Sequence, residues 1–392
     1  MPTPFFALCL ALIAGLGGAE ERGLRPSDEL RLVDGRVLVG HVVQLEASAI
    51  TLERNGRPER FLRTEVSELV SPLTLLEELA DRDRAARSSG DSRELMRWCL
   101  SQGLEREARL AALRLLGQDW DDGEARALYG GRAGDPRFRV RAGSLRLTQT
   151  DLSAPSKRRE RWLSTCFELS SDAAPLLTAD AAFELQRAYG IWHERYGAVF
   201  GAGHARELSQ VWLCARAADL PKQAAGRPGY YDHGTRRIVA SAQTPDLGAL
   251  LRHEVGHQLL WAAWRSPDAS PPPAWLDEGL AEHLACLCDG AGNRRRMTLE
   301  RLSGGPTPPL GTLLAAGGEQ FRGPQGPELY AAALLWIEFL ETDEFRPDFW
   351  RWLTARASSA EHGCESLSAA LSRSVEQLEL EFAAYLASEA RR

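Results

Sequence analysis

The sequence predicts an α+β chain, on three observations. Short alternating apolar runs punctuated by Asp-Gly and Asn-Gly open it. Residues at helical spacing follow. Strand-like and helical runs then alternate before a closing series of helices. At 392 residues and 44% hydrophobic content, the chain has room for two or three domains and a sizeable core. Its net charge is −7 and no basic segment stands out, which argues against a nucleic-acid partner.

Residues 1–19 read as a signal peptide. Phe5 to Leu16 is an apolar run, and Gly17-Gly18-Ala19 supplies small residues for cleavage. The expectation is an exported protein: periplasmic, extracellular or at the cell envelope. The alternative is that the same run is retained as an anchor. It is short for a membrane span, and no later stretch is long and apolar enough to be one. Six cysteines follow the leader: Cys99, Cys166, Cys214, Cys286, Cys288 and Cys364. Their scattered spacing is not that of a disulfide framework. Pairing and buried free thiols both stay open.

Residues 28–72 predict a small β domain. Leu30 to Val33, Val37 to Leu45, Ala49 to Arg54 and Glu59 to Leu62 are its strands, with turns at Asp34-Gly35 and Asn55-Gly56. Residues 73–135 predict a helical hairpin of tetratricopeptide type and a linker. The helices cover Leu73 to Ala86, Ser92 to Leu104 and Glu105 to Leu116. Neither module carries evident chemistry, and a protein partner is the role they suggest.

Residues 137–392 form the third unit. Phe138 to Thr148 alternates like a strand, Ala181 to Val199 is helical, and Val211 to Ala215 is a buried strand. Gly229 to Gly234 reads as a turn and Arg236 to Ser241 as a strand. Thr244 as N-cap and Pro245 at the first helical position then open a helix that runs to about Trp264. After a Pro-rich loop, a second helix covers about Ala274 to Leu287. Leu329 to Glu341, Phe349 to Ala357 and Ser374 to Ala390 are further helices. Arg294-Arg295-Arg296 reads as a solvated loop.

The first of these helices carries His253-Glu254-Val255-Gly256-His257, an H-E-x-x-H pattern. Residues four apart on a helix share a face, so both imidazoles can reach one zinc ion while Glu254 faces the water beside it. A third ligand is needed, and Glu278 in the run Trp275-Leu276-Asp277-Glu278-Gly279-Leu280-Ala281-Glu282 is the candidate. One zinc per chain, held by His253, His257 and Glu278, leaves a fourth position open. Glu254 is then the general base. Gly256 costs roughly 1 kcal/mol in a helix interior, which suggests a close approach of the second helix. Glu282, one turn after Glu278, either accepts the other ring N–H of His253 or is a solvated carboxylate. H-E-x-x-H alone arises by chance in roughly one chain in a hundred of ordinary composition, so the second run carries the weight.

Together these two runs resemble the gluzincin zinc metallopeptidases, the superfamily of thermolysin and aminopeptidase N, and in particular bacterial peptidase-MA-like domains, which carry a similar W-L-x-E-G-L-A-E run. The resemblance covers about residues 180–390. It implies a thermolysin-like domain: a small mixed sheet beside the first zinc helix, then a helical half carrying Glu278. It implies hydrolysis of peptide bonds in a peptide or protein substrate. It further implies an edge strand that pairs with the substrate, for which Arg236 to Ser241, with Arg237 and Val239, is the candidate. Such families use a Tyr or His to stabilise the oxyanion. Tyr330 occupies a suitable place, and core packing is its other reading. Tyr231, in a G-Y-Y-D turn, either lines the cleft or packs. No G-x-M-E-N signature precedes His253, which favours an endopeptidase over an aminopeptidase. Asp277 stands where many aminopeptidases have Asn. A different class of function is a zinc-bearing interaction scaffold of the cell envelope, but a scaffold has no use for Glu254 as a base.

Overall fold

A computed structural model of the chain describes residues 26–45, 48–142, 145–200, 208–222, 226–264, 271–289, 293–303, 307–356 and 364–389. The leader expected over residues 1–19 lies outside these. The described chain is of mixed α and β structure. No helix among the described residues is long and apolar enough to cross a membrane.

Five strands, β1 (Asp28–Leu32), β2 (Val37–Leu45), β3 (Ala49–Arg54), β4 (Arg57–Leu62) and β5 (Val66–Val70), form an antiparallel sheet in the order β4-β3-β2-β1-β5. Asn55 and Gly56 join β3 to β4 with φ of 51° and 74°, the double left-handed geometry a tight hairpin demands. Leu30, Leu32, Leu38, Val42, Ile50 and Leu52 pack a core of their own on one face. Strand β5 was not expected. Its five residues, Val66–Val70, lack a strict apolar alternation, and it is defined by pairing with β1 across 34 or more residues of chain.

Helices α1 (Leu76–Ala85), α2 (Ser89–Ser101), α3 (Glu105–Gln118) and α4 (Gly123–Leu128) follow. They are not a module set apart. Leu76, Leu110 and Leu116 belong to the same buried cluster as Phe167, Tyr196, Leu251 and Leu284. The reason is α5 (Pro175–Phe200), a long helix that meets α1 and α3 as well as the helices that follow it. The boundary expected near residue 136 is therefore a boundary in sequence and not in the core.

Phe138 to Thr148 is not one strand. It forms two short antiparallel ones, β6 (Val140–Ala142) and β7 (Leu145–Leu147). The second sheet contains β8 (Glu160–Leu163), β9 (Phe167–Ser171), β10 (Ser209–Cys214), β11 (Gly229–Asp232) and β12 (Arg237–Ser241), in the order β11-β12-β10-β9-β8. Strands β9, β10 and β12 are parallel; β8 and β11 are antiparallel edges. Leu169, Val211, Leu213, Ile238 and Ala240 are buried, as strands covered on a face by helices require.

Two sequence expectations are corrected here. Gly229 to Gly234 is not all turn. Its first four residues are β11, and the turn is Asp232 to Arg236, where the Asp232 carboxylate accepts from Gly234 N–H and the Thr235 hydroxyl. Strand β12 is consequently not an edge: it pairs with β10 on one side and β11 on the other. Its backbone groups are committed to the ladder, Val239 is only 2% exposed, and Arg237 and Val239 are not placed to pair with an added strand. The edge on this side of the sheet is β11.

Helix α6 (Leu247–Ala263) lies against β11 and β12 and beside α5. It opens two residues later than expected. Asp246, not Thr244, is the N-cap, accepting from Ala249 N–H at 2.9 Å, a contact worth about 1 kcal/mol. Thr244 instead donates its hydroxyl to Ser241 C=O. Helix α7 (Ala274–Asp289) packs on α6. The remainder is helical: α8 (Asn293–Ser303), α9 (Leu310–Ala315), α10 (Gly318–Arg322), α11 (Gly326–Leu340), α12 (Arg346–Arg356), α13 (Cys364–Leu371) and α14 (Val375–Glu389). The expected loop at Arg294 to Arg296 lies in α8. Arg295 is drawn in by Glu338 of α11 at 2.9 Å and Glu389 of α14 at 2.5 Å. Cys99, Cys214 and Cys288 are buried free thiols, and Cys166 and Cys286 are buried as well.

Candidate metal centre

Helices α6 and α7 run antiparallel, and the site lies on their facing surfaces. Arg252 meets Asp289, His253 meets Glu282, and His257 meets Asp277. The two backbones come into direct contact between these pairs: a Cβ on Gly256 would stand 2.6 Å from the Ala281 Cα. This is the close approach the glycine suggested. Gly279 plays a similar part on the other side of α7, where α11 packs and a Cβ would meet the Ala333 carbonyl oxygen at 3.0 Å.

The sequence-predicted ligands converge. His253 Nε2 lies 3.0 Å from His257 Nε2. Glu278 Oε2 lies 3.4 Å from the first and 3.3 Å from the second. Ligands about 2.0–2.1 Å from a tetrahedral ion stand about 3.3 Å from one another, so this triangle has the right edge. His253, His257 and Glu278 thus form a group that can hold a metal ion.

The outer nitrogens decide which way the inner ones face. His257 Nδ1 is 2.7 Å from Asp277 Oδ1, and His253 Nδ1 is 3.0 Å from Glu282 Oε1. Asp277 accepts the His257 N–H, and Glu282 faces His253 Nδ1 within ion-pair distance, so a proton on each outer nitrogen leaves an Nε2 lone pair aimed inward. Two imidazole lone pairs and a carboxylate oxygen then face one another within 3.4 Å. Such a cluster is stable only with positive charge among them, a proton or a metal ion. The electrostatics agree. Burial opposes protonation of His253, but Glu278 and Glu282 overcome it and raise its pKa to about 9. Burial likewise opposes His257, and Asp277 and Glu278 hold it well above the usual histidine value. Glu278 is buried too, yet the two imidazoles keep its carboxyl well below the ordinary range.

Glu254 is buried beside this trio, and its carboxylate makes no hydrogen bond or ion pair among the described residues. Tyr330, near the start of α11, sets its ring 6.3 Å from that of His253 and packs edge-on against Phe321 at 5.2 Å. Burial and the nearby Glu278, Glu282 and Glu254 push its pKa far up, so the phenol stays protonated and keeps a hydrogen to donate.

Two residues of the site escaped the sequence reading. Asp277 accepts from His257 with one oxygen and from Trp261 Nε1 at 3.1 Å with the other. His233 packs at a tilt on Trp261 with ring centroids 4.1 Å apart and meets Tyr231 edge-on at 4.9 Å. Tyr231 is buried on β11, its pKa pushed up to about 12 mainly by that burial. The acidic residue before Glu278 and the Trp four after His257 were the available signals. The histidine of α7 is not part of the ligand group. His283 is buried away from the ligands and bonds Tyr196 at 2.8 Å; burial lowers its pKa to about 3, and it stays neutral.

No family model, curated protein or solved structure matches this chain.

Proposed function

We propose that the chain is a zinc-dependent peptidase of the gluzincin type, acting inside peptide or protein chains after export. The observation that carries this is the inward-facing trio of His253 Nε2, His257 Nε2 and Glu278 Oε2, with the uncommitted Glu254 between the histidines. A two-imidazole, one-carboxylate donor set suits zinc and leaves a position open. The order of elements supports a thermolysin-like arrangement: a mixed sheet, a first helix with both histidines, then a helical half with the glutamate.

Zinc, when bound, supplies Lewis acidity that polarises a carbonyl and acidifies water. The chain's own residues do the rest. Glu254 takes a proton from the attacking water at its carboxylate and passes it to the amine as the C–N bond breaks. Tyr330 donates its phenolic hydrogen to the oxygen that gains charge as the carbonyl carbon becomes tetrahedral. Asp277 and Glu282 hold the two imidazoles in the ligating tautomer. The outer edge of β11 is where an extended peptide has backbone groups to pair with, adding an antiparallel strand.

The test is chelator-sensitive cleavage of an unfolded protein substrate by the zinc-loaded chain, with zinc stoichiometry measured on the same sample. Cleavage that survives chelation rules the proposal out.

A further inference from the structure

The His-bearing helix and the Glu-bearing helix are tied together at both ends of the ligand trio. At the end near the connecting loop, Asp277 of α7 takes His257 and Trp261 of α6. At the far end, Arg252 of α6 takes Asp289 of α7. Arg252 is the residue before His253, and it is 7% exposed. Its other guanidinium nitrogen donates to Glu184 Oε2 of α5 at 2.5 Å. One fork therefore spans three helices.

The chain of charges continues. Glu184 also accepts from Arg187 at 3.1 Å, and Arg187 reaches Asp83 of α1 at 3.1 Å. Asp83, 6% exposed, also binds Arg114 of α3. The sequence Asp83, Arg187, Glu184, Arg252, Asp289 alternates in sign at every step. Ion pairs of this kind add little to net stability, because desolvation offsets the attraction at the buried members and solvent screens it at the exposed ones. What an alternating fork-to-carboxylate series does supply is geometry, since a planar guanidinium bonded to two carboxylates fixes the distance between the elements that carry them.

We propose that Arg252 is a positioning residue for the metal centre: it fixes the spacing of the helices carrying His253, His257 and Glu278, and Asp83 of the N-terminal helices steadies it through Arg187 and Glu184. This rests on the zinc-site reading above. The ligand atoms lie 3.0 to 3.4 Å apart on two different helices, so a shift of a few tenths of an ångström between the helices spoils the set. The N-terminal helices, which carry no ligand, thereby contribute to metal affinity.

The experiment measures zinc dissociation constants of the full chain by competition with a chromophoric chelator. Parent, Arg252→Gln, Arg252→Lys, Asp289→Asn and Asp83→Asn are compared. Visible spectra of the cobalt-loaded forms and melting temperatures of the metal-free forms are recorded alongside. Arg252→Gln and Asp289→Asn are expected to weaken zinc several-fold, less than the about 10- to 100-fold cost of losing a group that bonds a ligand directly, because neither touches a ligand. Their cobalt bands shift as the ligand geometry relaxes. Arg252→Lys keeps the charge but lacks the fork, and falls between Gln and parent. Asp83→Asn weakens zinc in the same direction by a smaller factor. A folded Arg252→Gln with the parent's affinity and cobalt spectrum overturns the proposal, whatever its melting temperature. Should Arg252→Gln not fold, Asp289→Asn at the solvent edge decides by the same criterion. A parent chain that binds no zinc overturns the zinc-site reading as well, and so differs from a failure of this inference alone.

Discussion

Asp277 Oδ1 stands 2.7 Å from His257 Nδ1, across the interface of two antiparallel helices. The same carboxylate holds Trp261 through its other oxygen at 3.1 Å. One side chain thus sets the tautomer of a ligand and anchors an aromatic wall beside it. Asp277→Ala is expected to weaken zinc binding about 10- to 100-fold, and Trp261→Phe, which leaves the His257 contact intact, by much less. Calorimetric titration of both variants with zinc checks the order; equal losses would contradict it.

Gly256→Ala separates packing from helix propensity. In an isolated helix the change is favourable by roughly 1 kcal/mol. Here the new methyl stands 2.6 Å from Ala281 Cα, a backbone atom that cannot turn aside. Overpacking costs typically about 1–3 kcal/mol and wins. The melting temperature should fall and zinc affinity with it, because the helices part where the ligands meet. A variant more stable than the parent would mean that the helices are not in contact.

Tyr330→Phe tests the donor. Removing one donor to a developing oxyanion lowers kcat about 10²- to 10³-fold. The ring and its Phe321 contact remain, so the melting temperature should hold, and zinc affinity should change far less than kcat even though the hydroxyl also faces Glu278. Steady-state kinetics with zinc titration alongside distinguish this from a packing role, in which kcat stays and stability drops.

The metal-free protein should show a pH signature. His253 has a folded-state pKa of about 9 against an ordinary 6.5. A raised pKa contributes stability that is complete below about 6.5 and lost as pH rises through about 9. Melting temperatures of the metal-free chain should therefore decline across that window. With zinc in place of the protons the decline should vanish, and zinc binding should instead strengthen with pH because the ligands must lose their protons. A metal-free chain whose melting temperature is flat from pH 6 to pH 9 would argue against the charge cluster described.

What could be read in advance followed from local spacing. H-E-x-x-H and the D-E-G-L-A-E run placed four side chains on two helices, and helical period did the rest. What could not be read depended on how distant segments meet. Strand β5 is defined by β1, and β8 with β9 by each other, through short runs such as Glu160 to Leu163 that carry little pattern. The assignment of Arg237 and Val239 to an edge failed because sheet order is not written in a strand; it took Tyr230 and Tyr231 pairing outside β12 to close that edge. Asp277 looked like a small variation beside Glu278. Its role exists only because α6 and α7 are antiparallel. The link from Asp83 to Arg252 spans the region read as an accessory module and the region read as catalytic, and no spacing rule connects them.

The measurement closest to the central claim compares the zinc-loaded chain with its Glu254→Gln variant on an unfolded protein substrate, with bound zinc counted in both. Glu254 is not one of the three residues of the ligand group, so the account predicts one zinc per chain in each and chelator-sensitive cleavage by the parent alone. Equal cleavage by both, or no cleavage by a parent that holds its zinc, would contradict it.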